Sequence, residues 1–350
     1  MVSSFRYVYI SISTKYTEKH NGVQNMKKLK LIGIMVISLI FISATLYLFV
    51  FSLQGRKRLI VSTTTSLYDT GLLDLIEEEF EDKYAIDISF ISVGTGQAIE
   101  YAKRGDADLI LVHAPSAEYE FLTEGYGVCR KIIAYNFFVI VGPASDPAQI
   151  KDKNVTCALQ RIVECGHSGK VVWVSRGDNS GTHLKEKALW MSAGLNWTQL
   201  KDEGSWFIES GTGMGKTLLI ANEKEAYTLS DIGTYLKYYS EGRISLQILV
   251  GQSKGLLNVY SVMAVNPKKV PTVNFKDAIT FIKFLISEEC QTLIENFKKD
   301  EYGQNLFYPA VNLLKNDSDS VIADWIKEYA FFNGTECPQE YWDGHPELYS

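Results

Sequence analysis

Three short strings in this chain share one chemistry. Thr63-Thr-Thr-Ser66, Gly94-Thr-Gly96 and Ser180-Gly-Thr182 each set hydroxyls and backbone N–H groups at the point where a helix should begin. Helix N-termini leave N–H groups unpaired and carry partial positive charge, so they hold tetrahedral anions without many cationic side chains. Glycines at 94, 96 and 181 let a ligand approach the backbone closely. Each string alone reads as an ordinary helix cap. The three together, with Arg176 four residues before Ser180 and Asp178 between them, read as an oxyanion site. A planar guanidinium donates two bonds to an oxyanion, and Asp178 is placed to orient it. The candidate contacts are Thr65, Ser66, Thr95, Arg176, Ser180, Gly181 and Thr182, with Asp178 behind Arg176. No metal or cofactor is called for.

Other chemistries find less support. Gly211-Thr-Gly-Met-Gly-Lys-Thr217 imitates a phosphate-binding P-loop, but Ser210 stands where that motif needs its first glycine. The five histidines, at 20, 113, 167, 183 and 345, have no metal-binding spacing, and no Ser or Cys occupies a nucleophile elbow. An anchored phosphoester hydrolase is therefore the weaker alternative. Five cysteines, at 129, 157, 165, 290 and 337, lack C-x-x-C spacing; they read as core thiols, with a local Cys157–Cys165 disulfide as the other option.

The elements that must position these loops alternate between strand and helix. Leu59–Ser62, Ile86–Val93, Ala107–Val112 and Phe137–Val141 read as strands, and Gly71–Phe80 and Gln97–Arg104 as helices. A second αβ unit follows, with a strand at Val171–Val174 and a helix at Leu184–Ala193 that sets Leu184, Ala188 and Met191 on one face. Strands at Ala226–Leu229 and Val259–Val265 and a helix capped by Asp231 complete it. The βαβαβ order predicts parallel, doubly wound sheets: an α/β protein of two lobes around a ligand cleft. The expected boundaries are 59–140 with 256–315 for lobe 1, 141–255 for lobe 2, and a tail at 316–350.

The chain has 350 residues, 46% of them hydrophobic, and a formal net charge of −6. Of 35 Lys/Arg and 41 Asp/Glu, nine and one fall in residues 1–58, so the remainder carries 26 against 40, a net of −14. So acidic a body is unsuited to coating nucleic acid or an anionic membrane. Residues 31–53 are uncharged and mostly apolar, bracketed by Lys27, Lys28, Lys30 and Arg56, Lys57, Arg58. That length predicts a transmembrane anchor, with a cleaved signal as the alternative. Residues 1–30 read as a short cytosolic tail or an extended start ahead of Met26.

The string Ser175-Arg-Gly-Asp-x-Ser-Gly-Thr-His183, with Thr63-Thr-Thr-Ser66, Val93-Gly-Thr-Gly-Gln97 and Gly105-Asp-Ala-Asp-Leu109, resembles the tungstate-specific substrate-binding proteins of ABC transporters. Further similar strings are His113-Ala-Pro115, Glu124-Gly-Tyr-Gly127, Gly213-Met-Gly215 and Ala226-Tyr-Thr-Leu-Ser-Asp231. The resemblance runs in order over residues 59–310. It implies a type II periplasmic-binding fold, preceded here by the N-terminal anchor, with the body outside the cytoplasm. It also implies a tungstate or molybdate ligand, a partner permease with its ATPase subunit, a monomer without enzymatic activity, and Tyr227 as a further contact. A looser resemblance reaches phosphate-binding proteins through Arg176, Asp178, Ser180, Gly181 and Thr182, which keeps phosphate or sulfate as an alternative ligand. Those proteins carry an acidic residue after the third strand that accepts the proton of hydrogen phosphate. Here that stretch reads Leu111-Val-His-Ala-Pro115, so it lacks a carboxylate and favours an unprotonated dianion. His113 itself reads equally well as a core residue facing away.

Overall fold

The computed structural model describes residue 30 and residues 33–46, 58–316 and 320–350. Residues 33–46 are helical, and Ile34, Leu39 and Phe41 on that helix are largely exposed. The anchor expected over 31–53 thus falls only partly on described residues; 31–32 and 47–53 lie outside them, as do 1–29. Among the described residues no helix is long and apolar enough to cross a membrane.

The described residues from 58 onward pack as a unit of their own. Its strands are β1 (Arg58–Thr64), β2 (Asp87–Val93), β3 (Leu109–Val112), β4 (Gly127–Gly142), β5 (Trp173–Ser175), β6 (Phe207–Glu209), β7 (Thr228–Asp231), β8 (Gln247–Val250), β9 (Leu257–Val265) and β10 (Tyr308–Pro309). The main sheet runs β10-β4-β9-β3-β1-β2, with β7 and β8 joined to β4 and a separate β5-β6 pair. β1 is parallel to β2 and β3, as the βαβαβ order requires. The all-parallel expectation is corrected beyond that point: β9 is antiparallel to both β3 and β4, and β4 is antiparallel to β7, β8 and β10. Hydrophobic periodicity locates a strand without giving its direction, so the sequence order captured only the parallel half.

β4 is the long member, buried along its whole length. Its first part pairs with β9, and from Phe138 onward it pairs with β7. The sequence reading found only Phe137–Val141, because Arg130 and Lys131 look like surface residues. Both are buried and paired. Arg130 Nε and Nη2 donate to Glu118 Oε2 at 2.9 and 2.7 Å, its Nη1 donates to the Glu336 carbonyl at 2.7 Å, and its guanidinium stacks 4.3 Å above the Phe332 ring. Lys131 Nζ meets Glu336 at 2.6 Å. Residues 331–350, read from sequence as part of a tail, are thus pinned to β4.

The helix at Gly181–Ser192 differs from its expected orientation. Leu184 and Met191 are exposed, while Thr182, His183, Glu186, Leu189 and Trp190 are buried. A charged residue faces the core because Glu186 is solvated by protein. Its Oε1 accepts from Trp173 Nε1 at 2.7 Å and Trp190 Nε1 at 3.2 Å, and its Oε2 from the Ser175 hydroxyl at 2.9 Å. All five cysteines are free thiols. Cys157 and Cys165 lie eight residues apart on the single helix Val155–His167, about 12 Å along its axis, so they cannot pair.

Candidate functional site

Three strand ends deliver the hydroxyl loops. β1 ends at Thr64, whose side chain accepts from Leu67 N and caps the short helix Thr65–Tyr68. Thr65 is half-buried at its first position, and Ser66 is buried. β2 ends at Gly94, which caps the helix Thr95–Arg104 without offering its first-turn N–H groups a side-chain acceptor. β5 ends at Ser175 and turns through Gly177 (φ 63°) and Asn179 (φ 56°), a path that suits Gly and Asn. Ser180 then caps the helix Gly181–Ser192 by accepting from His183 N. Ser180 N donates to Asp178 Oδ1 at 3.1 Å, which tightens the turn.

These loops converge. A Cβ placed on Gly181 would lie 2.9 Å from His113 Cε1, 3.1 Å from His113 Nε2 and 3.5 Å from Thr95 Oγ1. Gly181 therefore sits directly against residues that follow β2 and β3. Ser66 Oγ lies 3.3 Å from His113 Nε2 and completes the group. The Thr95 hydroxyl, itself buried, has no hydrogen-bond partner among the described residues. A buried hydroxyl without a partner costs about 1–3 kcal/mol, so its retention beside three donor loops points to a ligand.

Arg176 is 3% exposed and carries the local positive charge. Its Nε donates to Asp178 Oδ2 at 3.1 Å, its Nη2 to the same oxygen, and its Nη1 to Thr182 Oγ1 at 3.4 Å. A guanidinium has five N–H donors, so one hydrogen on each Nη is left over. Asp178 titrates below the usual carboxylate range: burial pushes it up, and the Ser180 hydroxyl and Arg176 outweigh that. The backbone on either side of Arg176 is fixed as well. Its carbonyl accepts from Gly211 N at 2.9 Å, and Glu186 holds Ser175 before it.

The structure thus brings Ser66, Thr95, Arg176, Ser180, Gly181 and Thr182 together, with Asp178 behind Arg176. Tyr227 is not among them. Its hydroxyl donates to Asp146 Oδ1 at 2.9 Å and accepts from Ala148 N at 2.9 Å, and its ring belongs to the core around Trp173 and Phe138. The string 226–231 places Asp231 instead, which caps the helix Ile232–Ser240 through Thr234.

His113 is the residue the sequence left open, and it faces the loops. Burial lowers its pKa to about 4, so it is neutral at pH 7. Its Nδ1 lies 2.8 Å from Asn258 Oδ1. The turn has no carboxylate, as its sequence reads, but a neutral imidazole with its hydrogen on Nδ1 can accept at Nε2. Asn258 was missed entirely; the only signal was a lone amide within the apolar run Leu257–Val265. Glu186 was missed too, since a glutamate on a helix ordinarily faces solvent.

Comparison with known proteins places the chain in a family. A family model described as a PBP superfamily domain matches residues 52–289. The tungstate-binding protein TupA of Peptoclostridium acidaminophilum is 41% identical over 259 residues, covering 73% of this chain and 87% of that protein. The solved structure of the tungstate-binding protein TupA from Desulfovibrio alaskensis G20 superposes with a TM-score of 0.64 at 40% identity, over 72% of this chain and 98% of that one. The crystal structure of the tungstate ABC transporter from Geobacter sulfurreducens gives a TM-score of 0.60 at 42% identity, over 69% and 98%.

Proposed function

The chain belongs to the PBP superfamily and, within it, to the family of tungstate-binding TupA proteins, and from that membership we propose that it captures tungstate outside the cytoplasm and passes it to an ABC permease driven by an ATPase subunit. The buried, unpartnered Thr95 hydroxyl, set against the Gly181 turn and Ser66, carries this reading at the level of the site. The ligand fills the space between the loops and takes bonds from Ser66, Thr95, Ser180, Thr182, the N–H groups of the two longer helices and the free end of the Arg176 fork. Thr65 is a further candidate donor from its place between Thr64 and Ser66. Binding needs no bound metal, since the donors are hydroxyls, amides and one guanidinium. The protein acts as a carrier rather than an enzyme.

We place the cleft between a lobe of residues 59–140 with 256–315 and a lobe of 141–255. The switch of β4 from β9 to β7 at Phe138 supports that division. An N-terminal anchor over 31–53 is part of the same reading, supported by the exposed apolar side chains of helix 33–46. Isothermal titration of the full chain with tungstate, molybdate, sulfate and phosphate, in the presence of EDTA, tests the assignment. Tungstate and molybdate should bind tightly and sulfate weakly. The acceptor at His113 Nε2 gives phosphate a specific argument as a second ligand, so phosphate binding as tight as tungstate would move the assignment to that anion. Loss of tungstate binding in EDTA would overturn the metal-free site.

A further inference from the structure

Four side chains in series fix which nitrogen of His113 carries its hydrogen. Asn136 Nδ2 donates to the Leu306 carbonyl at 3.3 Å, so its Oδ1 faces Asn258 and accepts from Asn258 Nδ2 at 2.9 Å. Asn258 Nδ2 also donates to the Tyr260 hydroxyl at 2.8 Å. Asn258 therefore turns its Oδ1 toward His113, and His113 Nδ1 must be the donor across that 2.8 Å contact. The lone pair is left on Nε2, which faces Ser66, Thr95 and Gly181. In this state the single Ser66 hydrogen is drawn to Nε2 and away from a ligand. A lone pair aimed at a full dianion is also repulsive. Hydrogen phosphate could supply a hydrogen of its own, but tungstate near pH 7 has none.

Resting on the oxyanion-binding reading above, we propose that His113 takes up one proton from solvent when tungstate binds, so that its Nε2–H donates to Ser66 Oγ and the Ser66 hydroxyl hydrogen turns to the anion. The balance is simple: one proton moves from water or buffer to Nε2, one hydrogen bond reverses, and no covalent bond in the ligand changes. The surroundings hold His113 neutral until the ligand arrives. Burial acts first. Arg176 from the β5 turn and Lys185 from the helix Gly181–Ser192 are the cations that oppose its charging, while Asn258 favours it. The Tyr260 ring, tilted against the imidazole at 5.1 Å on β9, is a phenol kept neutral by burial. Phe138 on β4, Ser66 and Thr95 bring no charge. A bound dianion reverses that balance. An opposite charge nearby raises a pKa by ~1–3, and a dianion acts at the upper end of that range, ~2–3, which brings His113 from about 4 to ~6–7 in the complex.

The test is a proton count. Full-length protein is titrated with micromolar sodium tungstate at pH 6 and pH 8, each in two non-phosphate buffers of different ionisation enthalpy. Wild type should take up roughly half a proton or more at pH 6 and close to none at pH 8, and its affinity should rise about twofold to tenfold between pH 8 and pH 6. His113→Gln should bind more weakly, with no proton uptake and a flat pH profile. Asn258→Asp sets a carboxylate against Nδ1 and charges His113 beforehand; it should bind with uptake at pH 6 reduced to near zero. This second variant keeps the test decisive if His113→Gln is poorly folded. Tungstate binding by wild type with equal heats in both buffers at pH 6 overturns the proton-uptake inference alone. Uptake that survives unchanged in His113→Gln overturns it too. Failure to bind tungstate at either pH overturns the oxyanion reading, and the inference with it.

Discussion

Two buried arginines in this chain have equal claims to importance by burial and by charge pairing, yet they do different work. Arg130 is fully buried, holds Glu118 through Nε and Nη2, reaches the Glu336 carbonyl with Nη1 and stacks on Phe332. Each nitrogen of the fork has a close partner. Arg176 makes the same side-on fork onto Asp178, but its Nη1 has only a 3.4 Å contact with Thr182, which a ligand oxygen can replace. A salt bridge or a low exposure does not separate a structural arginine from a ligand-binding one. How closely the third nitrogen is held does: Arg130 Nη1 meets a carbonyl at 2.7 Å, whereas Arg176 Nη1 has only a hydroxyl at 3.4 Å.

The contrast is tested first where the effect is largest. Arg130→Ala strands Glu118 without its counter-charge and releases the segment around Glu336, so unfolding should become easier by ~3–5 kcal/mol. Tungstate affinity, measured on the fraction that remains folded, should be unchanged. A selective loss of affinity would place Arg130 in the binding apparatus after all.

Glu186 comes next, because it ties β5 to the helix that follows the Arg176 turn. Glu186→Ala leaves two indole N–H groups and the Ser175 hydroxyl unsatisfied and should cost ~2–4 kcal/mol by denaturant unfolding. Glu186→Gln keeps an acceptor and removes the ionisation. Burial raises the Glu186 pKa to about 7, so its contribution is fully present below the ordinary glutamate range and is lost as pH rises through about 7. The stability of Glu186→Gln relative to wild type should therefore improve from pH 5 to pH 8. A pH-independent difference would show that Glu186 is not the titrating group.

Arg176→Ala should leave unfolding little changed compared with Arg130→Ala and should cost ~1.5–3 kcal/mol of tungstate binding, about tenfold to a hundredfold or more. Arg176→Lys should recover only part, since an ammonium cannot reproduce the fork. Wild-type affinity in a folded Arg176→Ala would end its claim on the ligand.

The smallest effect belongs to Thr95→Val. It should weaken tungstate binding by ~0.5–1.5 kcal/mol while leaving thermal stability equal to or above wild type, because the hydroxyl has no partner to lose. A drop in stability without a drop in affinity would make Thr95 a cap and nothing more.

The parts of this molecule that could be read from sequence are those written in local spacing. Ser175 to His183 forms its turn from its own residues, with Asp178, Ser180 and Asn179 bonded within the loop, so letters three or four apart carried the geometry. The parallel strands β1 to β3 followed from alternation with helices. What escaped is held over long separations. Asn258 meets His113 from 145 residues away, and Glu336 meets β4 from more than 200. No window of periodicity spans such distances. Arg130, Lys131 and Glu186 were misjudged for a related reason: a buried charge looks like a surface charge until its partner is known. Tyr227 failed in the opposite way. It sits within a matching string, but its hydroxyl is consumed by Asp146 and Ala148.

One missing methyl group makes position 181 a calliper stop. With backbone rather than a side chain meeting the His113 ring, one wall of the gap between the facing loops has no rotamer with which to adjust it. Gly181 does not adopt a left-handed conformation, so alanine there would suit the first turn of the helix and still act as a wedge at 2.9 Å from the imidazole. A graded series of wedges at this position would turn ligand radius into a dial, with anions of increasing M–O bond length as the gauge marks. The bore of the site is thus written in the chain as the absence of a carbon atom.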